Sequence, residues 1–124
     1  MTKTSRVILG HQGEDLAAEY LQKAGYRVVA RNYRTAFGEI DIVARHGPTI
    51  CFVEVKTRTG VAFGSPAEAV SLPKQRKMAQ VAQAFLQDQN LYGQPSRFDV
   101  VAVVISPDGP VRVELLQNAF EADE

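Results

Sequence analysis

The chain has 124 residues, of which 45% are hydrophobic and 23% charged, values that fit one folded domain and argue against a disordered class. Its formal net charge is zero, which argues against a protein that binds nucleic acid by bulk charge alone. No apolar run approaches the roughly 20 residues of a membrane helix, and no signal-peptide apolar stretch follows Met1. We therefore expect a cytoplasmic protein that makes no membrane contact.

The organisation of the chain is that of a single domain over 1–124, with mobile ends expected near 1–9 and 119–124. Cys51 is the only cysteine, so one chain forms neither an internal disulfide nor a thiolate metal cluster. Any metal must then be held by oxygen or imidazole. Between Arg27 and Lys77 there are nine Lys or Arg against four acids, so a locally basic face around an acidic centre is compatible with the overall neutrality.

An amphipathic helix is predicted over Gln12–Ala24, where apolar residues recur at helical spacing and Gly25 supplies a C-terminal stop. A strand is predicted next, over Tyr26–Tyr33, with Val28 and Val29 on its inner side.

The clearest hairpin follows. Its strands are predicted over Glu39–Arg45 and Ile50–Thr57, with a His46–Thr49 turn that contains Gly and Pro.

A loop over Gly60–Pro66 and a second helix are predicted after this hairpin, with caps at Ser65 and Ser71 and with Pro73 in the first helical turn. The inward stripe of that helix contains four apolar residues: Met78, Val81, Ala82 and Phe85. The last two elements are a buried strand over Phe98–Ile105 and, after a turn at 107–110, an edge strand over Val111–Leu116.

Pairing arithmetic across the hairpin brings its acids together. If Arg45 pairs with Ile50, antiparallel geometry sets Asp41 opposite Glu54. It also sets the strand's first acid, Glu39, opposite Lys56, with all four side chains on one sheet face. Opposed residues have Cβ atoms about 4.5–5.5 Å apart, close enough for two carboxylates to hold one cation. This arrangement depends on the register, because a slip of one residue would separate the carboxylates.

Two adjacent carboxylates repel unless a proton, a lysine or a metal compensates them. Oxygen ligands without cysteine suit a hard cation, Mg²⁺ or Mn²⁺, which usually shares its coordination with substrate phosphate. Lys56 would then orient a water molecule or offset charge in the transition state. The alternative for Asp41, Glu54 and Lys56 is an exposed ladder of cross-strand ion pairs. Glu39 has three open roles: metal ligand, partner of Lys56, or strand start.

These motifs resemble a known group of proteins. The segments Gly38-Glu39-Ile40-Asp41 and Phe52-Val53-Glu54-Val55-Lys56-Thr57-Arg58 resemble the Asp…Glu-x-Lys core of restriction-endonuclease-like nucleases. With Gly13-Glu14, Gly25-Tyr26, Asn32, Arg34, Arg97-Phe98-Asp99 and Asn118-Ala119-Phe120, the likeness to the bacterial YraN family covers most of the chain. The chain is also similar to archaeal Holliday-junction resolvases, in which a glutamate of the first helix joins the site; Glu14 matches that residue.

The resemblance implies an α/β fold, a mixed sheet flanked by helices, and a Mg²⁺- or Mn²⁺-dependent nuclease acting on DNA, branched or structured DNA included. Asp41, Glu54, Lys56 and Glu14 would be catalytic, with the metal on Asp41, Glu54 and Glu39. Glu14 has an alternative role as an acid at a helix N-terminus.

The basic residues expected to contact nucleic acid are Arg34, Arg58, Lys74 and Lys77, and their alternative is a solvated surface. A chain of this size leaves little surface for a large substrate, so a homodimer is also expected among its working forms. The competing function is a non-catalytic module that binds nucleic acid or protein and retains a nuclease-like fold.

Overall fold

The computed structural model describes residues 3–59, 70–105 and 111–121, with the backbone alone described at 3–11 and 59. The elements are α1 (Lys3–Lys23), β1 (Arg27–Thr35), β2 (Gly38–His46), β3 (Thr49–Thr59), α2 (Leu72–Asp88), β4 (Ser96–Ile105) and β5 (Arg112–Phe120). Their order matches the predicted one, although α1 begins at Lys3 rather than at Gln12. Neither of these helices is long and apolar enough to cross a lipid bilayer.

Some predicted features concern residues that the structure does not describe. The loop at 60–66, the cap at Ser65 and the turn at 107–110 lie outside the described residues, as do 1–2 and 122–124 of the expected mobile ends. Mobility of the two ends stays a prediction.

The five strands form one mixed sheet in the order β1-β2-β3-β4-β5. β3 and β4 run parallel, and the other neighbouring pairs are antiparallel. A parallel pair needs a crossover connection, and the segment that contains α2 supplies it. β5 lies at the edge of the sheet, as its alternating sequence predicted.

Each face of the sheet is covered by one helix. On one face Leu21 of α1 packs with Ile42 and Val53, and on the other face Phe85 of α2 packs with Phe52. Adjacent strand residues point to opposite faces, which is why Phe52 and Val53 enter different clusters. The predicted α/β class, a mixed sheet flanked by helices, is confirmed, and it is compatible with a restriction-endonuclease-like fold.

Helix α2 begins where its capping residues predict. The Ser71 hydroxyl accepts the N–H of Lys74 at 3.3 Å, and Pro73 lies in the first turn, where it removes no helical hydrogen bond. Both features were predicted. The cap fixes where the helix begins, and it therefore fixes which side chains of the first turn reach the sheet.

The end of α1 is a Schellman motif. Tyr26 N–H donates to the Leu21 carbonyl at 2.9 Å, and Gly25 N–H donates to the Gln22 carbonyl at 3.2 Å. Gly25 has a φ of 93°, a conformation in which a side chain would be strained. The predicted glycine stop is confirmed, and it turns the chain directly into β1.

One prediction about β1 is wrong, because Val29 is 49% exposed. The pairing of β1 with β2 shifts its register between Val28 and Ala30, so Val29 is the extra residue of a bulge. Val28 packs against the α1 face and Ala30 against the α2 face. The bulge thus changes which face each later residue of β1 occupies.

A buried polar network surrounds Asp99, which is fully buried. Its carboxylate accepts hydrogen bonds from the Tyr26 hydroxyl at 2.9 Å, from Arg97 Nε at 3.0 Å and from the Asn118 N–H at 2.9 Å. These bonds join β4 to β5 and to the residue before β1. Asp99 is therefore a structural acceptor whose charge is paired and hydrogen-bonded.

Helix α1 approaches β3 closely at Gly13. A Cβ at this position would overlap the side chain of Thr57 on β3. Exchange of a helical glycine for alanine normally stabilises a helix by about 1 kcal/mol. We expect Gly13→Ala to reverse that sign and destabilise the protein by about 1–3 kcal/mol, because overpacking moves α1 or Thr57.

Urea unfolding of the wild type, Gly13→Ala and the double variant Gly13→Ala/Thr57→Ala checks this expectation. The double variant should recover part of the loss, since it removes the outer atoms of Thr57. A Gly13→Ala protein at least as stable as the wild type would show that α1 does not approach β3 this closely.

Candidate functional site

The candidate site lies where β2 and β3 separate. Their ladder contains the Arg45↔Ile50 pair on which the sequence argument was conditional, but it ends at Ile42↔Val53, one residue short of Asp41. Asp41 Oδ2 instead accepts the backbone N–H of Val55 at 2.8 Å. A carboxylate thus takes the place of the next backbone acceptor and fills the opening between the two strands.

Glu54 and Asp41 form a close acid pair in this opening. Glu54 is only 5% exposed, and burial raises the pKa of its carboxyl group to about 8, with further upward contributions from the hydrogen bond and the negative charge of Asp41. The cost of a buried anion beside a second anion is the physical cause. The pair therefore retains one proton at neutral pH.

Two lysines act on this acid pair from different elements. Lys74 Nζ, in the first turn of α2, lies 3.4 Å from Glu54 Oε2, and the lysine side chain is 40% exposed. Lys56 is two residues beyond Glu54 on the same strand. The positive charges of Lys74 and Lys56 lower the pKa of Glu54, but by less than burial and Asp41 raise it. Sequence reasoning predicted Lys74 as a phosphate contact, and the structure places it on the Glu54 carboxylate.

A second acid pair lies on the α1 side of the sheet. The Asn32 side-chain nitrogen donates to Glu14 Oε1 at 3.0 Å and to Glu39 Oε1 at 2.8 Å. This amide orientation is assigned from the surrounding groups, since the reverse one would set the amide oxygen against two carboxylates. Arg34 Nε completes the set with a 3.0 Å hydrogen bond to Glu39 Oε2. Glu14 and Glu39 are therefore brought together by one asparagine of β1.

The expectation that Glu39, Asp41, Glu54 and Lys56 share one face is not met. Ile40 and Val43 both pack under α2, although strict alternation would put residues three apart on opposite faces. Alternation therefore breaks at Asp41. As a result Glu39 turns towards α1 and Glu54 towards α2, with Asp41 in the gap between β2 and β3.

The remaining basic candidates lie around this opening. Lys77 is exposed on α2, beside Gly38 at the start of β2, and Arg58 is half-buried on β3. Arg34 pairs with Glu39, as described. Contact of these residues with nucleic acid stays a prediction.

Sequence reasoning missed the role of Asn32, which entered only as one residue of the family pattern. The signal was an asparagine inside a strand, where this residue type is depleted. Asparagine tolerates the left-handed conformation better than most residues, and Asn32 has a φ of 53°.

The donor set restricts which metals the site suits. Among the described side chains, no group of three or more His, Cys, Asp or Glu could hold a metal ion. The carboxylates available to one cation are thus the pair Asp41 and Glu54, without the predicted third member Glu39. Burial raises the pKa of the Cys51 thiol to about 12, so this buried thiol stays protonated and offers no thiolate.

The raised pKa of Glu54 makes stability depend on pH. Between pH 4.5, its ordinary pKa, and about 8, its pKa in the fold, the folded state binds more protons than the unfolded state. Stability contributed by this group therefore falls as pH rises through that window, by at most about 1.4 kcal/mol per pH unit. Removing the titration with Glu54→Gln should remove this slope.

Urea unfolding of the metal-free wild type and Glu54→Gln at several pH values measures the difference. We expect the two proteins to diverge with rising pH, with Glu54→Gln the more stable above pH 8. A constant difference between pH 5 and pH 8 would show that Glu54 titrates normally.

Comparison with known proteins identifies the family of this chain. The model of "Uncharacterised protein family UPF0102" matches residues 13–103. The UPF0102 protein of Symbiobacterium thermophilum is 49% identical over 92% of this chain and 97% of its own length. That of Geobacter sulfurreducens is 50% identical, with 92% and 89% covered, and that of Rhodococcus jostii is 46% identical, with 90% and 95% covered. The chain therefore belongs to the UPF0102 family, the YraN family that its motifs resemble.

Proposed function

We propose that this chain is a divalent-metal-dependent nuclease that cleaves phosphodiester bonds in DNA, with Asp41 and Glu54 as the residues that hold Mg²⁺ or Mn²⁺. The observation that carries the proposal is the buried acid pair in the opening between β2 and β3. A buried carboxyl with a pKa of about 8 beside a second carboxylate is costly to ionise, and functional sites are where such groups concentrate.

The residues present fit a hard cation. Mg²⁺ is usually bound through one or two carboxylates, with waters and substrate phosphate completing its coordination, and the opening supplies two carboxylates and no thiolate. A bound cation would supply Lewis acidity towards the phosphodiester. The ion and the proton on the pair compete for the same oxygens, so binding should be stronger at higher pH.

The lysines have separate roles in this proposal. Lys56, on the same strand as Glu54, donates hydrogen bonds to a phosphate oxygen or to the attacking water and offsets charge in the transition state. Lys74 neutralises Glu54 from α2 and is 40% exposed, so its ammonium can also meet an incoming phosphate. A positive charge at both positions compensates for the acids that would otherwise repel a DNA backbone.

A non-catalytic binding module is the second candidate. The specific observation in its favour is that the described residues contain no group of three or more metal-ligating side chains. DNA binding whose affinity is unchanged by Mg²⁺ and by Lys56→Ala would support the non-catalytic function.

Metal binding is tested by thermal unfolding in Mn²⁺ at pH 6 and at pH 8. An ion at about ten times its Kd adds about 1.4 kcal/mol of stability, which raises Tm by about 5 °C. We expect this shift in the wild type, larger at pH 8, and none in Asp41→Asn. A shift of equal size in both proteins would place the ion elsewhere.

Cleavage is tested with purified protein, Mg²⁺ or Mn²⁺, and a panel of duplex, single-stranded, flap and four-way-junction DNAs. Glu54→Gln should reduce cleavage by about 100-fold or more. Glu19→Gln is the matched control, since Glu19 is an exposed acid that pairs with Lys23. Equal cleavage by Glu54→Gln and the wild type would assign the activity to a contaminant and contradict the proposal.

A further inference from the structure

We propose that Asn32 is a positioning residue that holds Glu14 of α1 beside Glu39, at the strand position across from Asp41. The inference rests on the nuclease function proposed above, to which Glu14 would contribute from the α1 side of the sheet. Glu14 is then the acid through which Asn32 acts. The inference assigns a role to a neutral residue on β1, an element that contributes none of the acids or lysines of the opening.

The backbone at Asn32 departs from the strand around it. Its φ is 53°, the left-handed region, and asparagine is one of the few residues with a side chain that adopts it readily. The pairing of β1 with β2 skips this residue, with Arg31↔Ile42 on one side and Tyr33↔Ile40 on the other. The register therefore sets Asn32 directly across from Asp41.

The side-chain amide of Asn32 donates hydrogen bonds to two carboxylates. An amide nitrogen carries two hydrogens, and here it donates to Glu14 at 3.0 Å and to Glu39 at 2.8 Å. Two carboxylates this close repel each other, and the shared donor offsets that repulsion. Without the donor, Glu14 would move away from Glu39 and hence from the strand position opposite Asp41.

A neighbouring contact provides a comparison. Arg31 Nη2 and Asp15 Oδ1 are 2.8 Å apart and also join β1 to α1, one residue away from Asn32 and Glu14. The Asp15 side chain is 69% exposed, and exposed pairs contribute little to stability. Asp15→Asn therefore removes a link between the same two elements and leaves Glu14 and its asparagine in place.

The test uses variants that separate the amide from the backbone. Asn32→Gly keeps the left-handed conformation and removes the amide, so its Tm should stay close to that of the wild type. Asn32→Ala removes the amide and also disfavours the left-handed conformation, so it should lower Tm. Asn32→Asp keeps the size of the side chain but adds a third carboxylate. We expect Asn32→Gly and Asn32→Asp to lower kcat by about tenfold or more with little change in KM, because a misplaced group affects the reaction step.

A double-mutant cycle identifies the residue through which Asn32 acts. In a Glu14→Gln background, Asn32→Gly should cause no further loss of kcat, and Asp15→Asn alone should leave kcat unchanged. A tenfold loss that persists in the Glu14→Gln background would overturn the inference, as would an equal loss in Asp15→Asn.

A nuclear magnetic resonance measurement keeps this inference distinct from the nuclease function. The side-chain amide signals of Asn32 in ¹⁵N-labelled wild type should shift in Glu14→Gln and in Glu39→Gln, and not in the control Glu19→Gln. Unmoved signals would overturn the positioning role even if the protein cleaves DNA. A wild type that cleaves no DNA, with signals that shift as expected, would contradict the proposed function and retain the contact.

Discussion

A carboxyl group buried next to a second carboxylate is the interaction on which the candidate site depends. Glu54 is 5% exposed, and its pKa is raised to about 8 by burial and by Asp41. An apolar residue of similar size would avoid this cost, so the acid weakens the fold at neutral pH. A residue that destabilises the protein it belongs to is expected where function requires it.

The fold limits this cost through contacts from several elements. The backbone N–H of Val55 binds Asp41, and the Lys74 ammonium approaches Glu54 from α2. Helix α1 reaches the opposite side of the sheet, where Asn32 links Glu14 to Glu39. The candidate site therefore lies where β2 and β3 separate, with contacts from α2 on one face of the sheet and from α1 on the other. It needs no overall positive charge, since the local lysines compensate the local acids.

Much of the fold follows from patterns within the sequence. The Gly-Pro turn at 47–48 and the alternating strands around it predicted the hairpin. Its register was left open, and the structure contains the Arg45↔Ile50 pair on which the predicted arrangement of the acids depended. The apolar stripe of α2 and its cap at Ser71 also followed from local spacing. Such features depend on residues close together in the chain, which a sequence shows directly.

The details of the site depend on departures from those patterns. The ladder stops before Asp41, and Asn32 takes a left-handed conformation, so strict alternation assigned Glu39 to the wrong side. Nor does spacing predict that Lys74, twenty residues after Glu54, reaches its carboxylate, because that contact depends on how α2 packs across the sheet. Long-range packing and single strained residues are what sequence periodicity does not encode.

The most direct test of the central claim is the number of protons released when a cation binds. Calorimetric titration of Mn²⁺ into the metal-free protein, at about pH 7 in two buffers of different ionisation enthalpy, measures that number. We expect about one proton per bound ion for the wild type, and a value that falls towards zero above about pH 9. Binding without proton release at about pH 7, or the same release from Glu54→Gln, would contradict that claim.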